Sequence, residues 1–216
     1  MEQITVEEKI ARHKAFYEMN LTDGPLVGSF LGTYYPLARY NAGRSLPAGK
    51  IEAKDVDPAR FATDYQSLHD RYKRVEGDTI WTGSIFWGIP WMEALAGCGV
   101  YADQETSSCR SVAQAAPPTA NTIPAFDVQS PWAAKANEFI DVLTGMTATF
   151  PLGTTLMRGF SDILSAIYGT PEFVYRLVDG GMDIRNVVEK IAELWVAFGN
   201  FQLDRYPRFR DGTGSY

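Results

Sequence analysis

Sulfur and imidazole are scarce: the 216 residues hold two cysteines, Cys98 and Cys109, and two histidines, His13 and His69. A structural zinc site takes four such ligands. Here the histidines stand on helix-patterned segments far from the cysteines, so the cysteines read as buried or incidental. No apolar run approaches the roughly 20 residues needed to span a bilayer, and no membrane partner is expected. Basic blocks are missing as well. Twenty Lys and Arg stand against 26 Asp and Glu, a net charge of -6, which lacks the electrostatic footprint of a nucleic-acid binder. The opening MEQITVEEKIARHKAFYEM has neither the basic n-region nor the apolar h-region of a secretory signal. A cytoplasmic location is the expectation. No internal repeat of roughly 20 to 50 residues is found either, which sets aside solenoids.

What the chain does have is apolar and aromatic bulk, 45% and 13% of its residues, enough for a substantial core. Three segments read as buried strands: Pro25 to Gly32, Asp78 to Trp87 and Thr147 to Met157, each rich in β-branched or aromatic residues and edged by glycine or proline. Helical periodicity lies between them. Phe61, Tyr65, Leu68, Tyr72 and Val75 follow the start signal Asp57-Pro58, and Trp132, Ala136, Phe139, Ile140 and Leu143 follow Ser130-Pro131. Three more helices are predicted over Ser161 to Tyr168, Pro171 to Val178 and from Asp183 onward. Strands alternating with helices imply parallel βαβ units, with ligands at the C-terminal ends of the strands. Residues 101–129, rich in Ser, Thr, Ala and Pro, read as a long loop insertion on that ligand-binding side.

Each predicted strand is followed by a candidate site. GDTIWTGSIFWGIPWMEALAG, Gly77 to Gly97, crowds Trp81, Phe86, Trp87 and Trp91 beside Gly88 and Pro90, then sets Glu93 among apolar neighbours. Trp81 and Trp87 suit the core. Glu93 is either a desolvated carboxylate available for catalysis or an exposed first-turn glutamate favoured by the helix dipole. LGTYYPLARYNAGR, Leu31 to Arg44, joins Tyr34, Arg39 and Arg44, which suit an anionic ligand or else form a surface turn. In LMRGFSDIL, Arg158 precedes a helix that Ser161 can cap, and that helix start can also receive an anion. Convergence of the three on one barrel mouth is the stronger argument.

The order of these motifs resembles the N-terminal part of the uroporphyrinogen decarboxylase superfamily. The resemblance is carried by Gly32, Tyr34 and Pro36, by the run from Ile89 to Gly97, and by Pro151-Leu152-Gly153. It implies an α/β fold, the first three or so βα units of a (β/α)8 barrel, with residues 1–216 as one incomplete domain. It implies decarboxylase-like lyase chemistry on a carboxylated tetrapyrrole or related small anionic substrate, with Glu93 catalytic and Tyr34, Arg39, Arg44, Trp91 and Arg158 binding substrate. The chain also departs from the decarboxylase. The two arginines of the latter's Arg-Gln-Ala-Gly-Arg run fall on Ser29 and Thr33, and its pyrrole-binding aspartate falls at or near Ile85. The Phe-Ser-Asp-Ile-Leu at Phe160 to Leu164 follows the third strand and opens a helix, the wrong place for that role. Two alternatives stay open. Methyltransferase relatives supply one, methyl transfer to a thiol, with zinc and a corrinoid served by a further C-terminal half; the other is non-enzymatic, an inactive barrel fragment or a module completed by another chain. No cofactor is expected within this chain itself, and exposed strand edges are expected to drive self-association or pairing with a complementary half.

Overall fold

Thr5 opens the first helix by a reciprocal cap: its hydroxyl accepts from the Glu8 N–H while the Glu8 carboxylate accepts from the Thr5 N–H. In the computed structural model, which describes residues 4–114, 116, 118–146, 150–180 and 182–208, that helix is α1 (Val6–Tyr17). Two short helical turns follow, α2 (Pro36–Arg39) and α3 (Asn41–Arg44). Asp57 then starts a 3-10 turn, Pro58–Phe61, that runs into α4 (Ala62–Tyr72). As the periodicity predicts, Phe61, Tyr65, Leu68 and Tyr72 face inward. Next come α5 (Trp91–Leu95) and α6 (Pro131–Thr144), the latter burying Ala136, Phe139, Ile140 and Leu143. The chain closes with α7 (Phe160–Tyr168), α8 (Thr170–Asp179) and α9 (Met182–Arg205). Gly159, not Ser161, occupies the cap position of α7, and Ser161 lies inside its first turn.

The chain is thus mixed helix and strand, but its sheet is not the predicted one. β1 (Gly49–Ile51), β2 (Gly99–Asp103) and β3 (Ser108–Val112) form a three-stranded antiparallel sheet in the order β1-β2-β3. Ile51 pairs with Val100 and Ala102 with Cys109, and these four side chains are buried on one face. The region expected to be a loop from Tyr101 to Gln129 therefore begins as a hairpin. Its signal was legible in the alternation of Val100, Tyr101 and Ala102 ahead of a polar turn, yet the Ser- and Thr-rich composition around it reads as irregular.

The three segments predicted as strands are extended chain with little ladder. The second and third meet at a single parallel bridge, Gly83 to Leu152, through Gly83 N–H to Pro151 O and Gly153 N–H to Gly83 O, each 2.9 Å. The first touches the second through Asp78 N–H to Val27 O at 2.7 Å. Side chains intercept three donors of the first segment: Val27 N–H goes to Asp78 Oδ2, Ser29 N–H to Thr79 Oγ1 and Leu31 N–H to the Tyr72 hydroxyl. With those donors satisfied, no ladder is needed to pair them. Part of the third segment, residues 147–149, lies outside the described residues.

Aromatic packing accounts for the two glycines of the crowded stretch. A Cβ on Gly83 would lie 2.5 Å from a Phe150 ring carbon, and one on Gly88 would lie 2.3 Å from the Phe86 ring. Phe86 in turn packs on Phe61 at 4.6 Å and edge-on to Tyr40 at 5.3 Å between ring centres. These rings sit at the centre of one continuous hydrophobic cluster.

Candidate functional site

Pro90 ends the extended aromatic stretch and starts α5, which carries Glu93 into the core with 0% of its surface exposed. A buried carboxylate needs a partner. Arg158 Nη1 donates to Glu93 Oε1 at 2.9 Å, while Oε2 has no hydrogen-bond partner among the described residues. Arg158 is amphibious: its side chain is 40% exposed, so one end meets the buried acid and the rest reaches solvent. The Trp195 indole, on α9, donates to the Arg158 carbonyl at 3.3 Å and holds that backbone in place. Two of the three predicted site regions therefore converge, at the outgoing ends of the two bridged extended segments.

Trp91 is not at this surface. It is buried, and its indole N–H is spent on Phe86 O at 2.9 Å, so it serves as core. Tyr34 is 73% exposed and lies flat on Phe30 at 4.1 Å. Arg39 packs over the same Phe30 ring at 4.4 Å and donates to the carbonyls of Leu31 and Thr33. Arg44 donates from Nε and Nη2 to Ala38 O. Arg39 and Arg44 line a cavity of about 310 Å³ shared with Asp64 and Arg71, whose walls include neither Glu93 nor Arg158. The predicted residues thus form two groups.

Other polar groups escaped the sequence reading. Gln202, wholly buried on α9, accepts from Thr155 N–H at 2.9 Å, and Thr155 Oγ1 donates to Ile85 O at 3.2 Å. The first bond fastens the last helix to the third segment, and the second ties that segment to the one carrying Ile85. Glutamine in a helix otherwise rich in charge gives no local sign of burial. Arg71 was also missed, although Asp64, Ser67, Leu68 and Arg71 recur at helical spacing along one face.

The thiols are poor nucleophiles. Burial pushes Cys109 up to about 12, and burial together with the neighbouring Glu93 charge does the same to Cys98. Burial lowers His69, aided by Lys73, while Asp70 opposes the shift. Among the described residues no cluster of three or more His, Cys, Asp or Glu side chains is placed to hold a metal ion, and no helix is long and apolar enough to cross a membrane. Comparison with protein-family models, with characterised proteins and with solved structures gave no match.

Proposed function

We propose that this chain binds a small carboxylated molecule through Arg158 and removes a carboxyl group from it, as a relative of the uroporphyrinogen decarboxylases. On this reading it supplies the first βα units of a (β/α)8 barrel, with the β1-β2-β3 sheet as an addition at the rim. The observation that carries the proposal is the Glu93–Arg158 pair, which stands just beyond two segments bridged in parallel at Gly83 and Leu152. Ligands of βα folds gather at that end.

Glu93 has no exposed surface, so its part is to orient Arg158 and not to touch substrate. The arginine keeps donors free on its solvent side for a carboxylate, which it can grip with two parallel hydrogen bonds. In the reaction the carbon–carbon bond to the carboxyl group breaks and carbon dioxide leaves. The electron pair left on carbon takes a proton from solvent.

The test is to incubate the purified chain with uroporphyrinogen and with its neutral methyl ester, following carbon dioxide release and binding by tryptophan fluorescence. A parallel reaction with methylcobalamin and a thiol measures the competing chemistry. The expected result is release from the free acid only, with binding weakened about tenfold or more in Arg158→Lys, which keeps the charge but loses the fork. Binding of acid and ester with equal affinity, or methyl transfer without carbon dioxide, rejects the proposal.

A further inference from the structure

The cavity between the loop after Leu31, α2, α3 and α4 is lined by three arginines, Arg39, Arg44 and Arg71. Among the described residues none of the three is ion-paired with a carboxylate, although the chain as a whole carries six more acidic than basic residues. The one acid in the wall, Asp64, is buried and fully engaged. Its oxygens accept from Asn41 Nδ2 and from Ala42 N–H, both at 2.9 Å, and so tie α3 to α4. Three positive charges and one negative leave an excess of two. Like charges gathered at one place repel unless something offsets them.

We propose that this cavity binds a phosphate group, either free or on a small phosphomonoester. A phosphate dianion concentrates about two negative charges and three acceptor oxygens around one atom, which matches three arginines brought to one cavity from three different elements. A dicarboxylate would spread the same charge over two separated ends. Two of the forks are held in advance. Arg39 is packed on Phe30, tethered by Nη1 to backbone carbonyls and set beside the Tyr40 hydroxyl, while Arg44 uses Nε and Nη2 on Ala38 O and leaves Nη1. Arg71 stands on the exposed last turn of α4, able to close on a ligand from solvent. Thr33 and Ser67 add neutral hydroxyls to the wall. A volume of about 310 Å³ is at the small end of ligand cavities, which suits a phosphomonoester and is far too little for a tetrapyrrole. Because neither Glu93 nor Arg158 lines it, this site stands apart from the carboxylate-binding reading above.

The experiment is calorimetric titration of the full chain with inorganic phosphate, glycerol phosphate and succinate, at ionic strength matched with chloride. Saturable binding of both phosphates is expected, with succinate weaker by about tenfold. Arg71→Ala and Arg44→Gln should each weaken phosphate by roughly tenfold to a hundredfold, since each removes a charged hydrogen bond, while circular dichroism stays unchanged. The exposed Arg60→Gln, outside the cavity, is the control and should bind like the parent. The proposal is overturned by an absence of saturable heat, by succinate binding as tightly as phosphate, or by Arg60→Gln weakening phosphate as much as Arg71→Ala does.

Discussion

Removing Arg158 should cost more than removing an ordinary surface arginine, because it leaves the buried Glu93 carboxylate without its cation. Breaking a buried pair from one side costs about 3 to 5 kcal/mol, and a half-exposed arginine places this case near the lower figure. Arg158→Ala is therefore expected to lose about 3 kcal/mol in urea denaturation at neutral pH. Replacing both partners by apolar residues, Glu93→Met with Arg158→Leu, should recover most of that loss, since no uncompensated charge remains. Equal losses in the single and double variants would show that the pair is not the cause. Glu93 itself was legible in the sequence as a carboxylate set in an apolar run. Arg158 was legible as a neighbour at the same mouth, but the direct ion pair was not, because the two residues are 65 positions apart and nothing local to either specifies the other.

At the scale of elements, α1 is held to the rest of the chain by a polar clamp centred on Asp78. Arg12 Nε donates to Asp78 Oδ1 at 2.6 Å and also pairs with Asp23, while His13 Nε2 lies 2.9 Å from Asp78 O and Lys9 Nζ donates to Thr79 O at 3.0 Å. The Arg12 hydrogen bond, followed by that of the Val27 N–H, holds Asp78 below its ordinary value of 3.8. A carboxyl group depressed in the folded chain contributes stability that is complete above the unfolded value and is lost as pH falls through the folded one. Hydrogen exchange in α1 should therefore accelerate below about pH 4 before the core helices loosen. Asp78→Asn should remove about 1 to 3 kcal/mol at neutral pH and flatten the acid limb of the stability curve. Parent and variant curves that run parallel would rule the clamp out. The helices in this network were readable from the sequence because caps and apolar stripes act within a few residues. The extended segments were not, because Asp78 and Thr79 use side chains where the strand pattern predicts backbone pairing.

At the scale of the whole molecule, apolar surface is left uncovered. α8 buries Phe173 but exposes Val174, Tyr175, Leu177 and Val178, the last at 80%. On the first extended segment and the turn after it, Val27, Phe30, Tyr34 and Tyr35 are exposed as well. Contiguous apolar patches beyond a few hundred Å² mark interaction surfaces. Light scattering is expected to give a mass that rises with concentration above the 24.0 kDa of one chain. Leu177→Glu with Val178→Lys should shift it back toward the monomer. A constant 24.0 kDa for the parent at every concentration would contradict this expectation.

Sequence alone determined the longer helices and the acidic balance, because those follow from composition and from interactions between residues three or four apart. Tertiary structure decided which strands exist and which charges meet. It put the ladder at β1, β2 and β3, where Ile51, Val100, Ala102 and Cys109 share a buried face. It also divided the predicted arginines, sending Arg158 to Glu93 and gathering Arg39 and Arg44 with Arg71. Strand pairing and ion pairing depend on partners distant in the chain, and those partners are chosen by whichever packing buries the most apolar surface while satisfying the backbone.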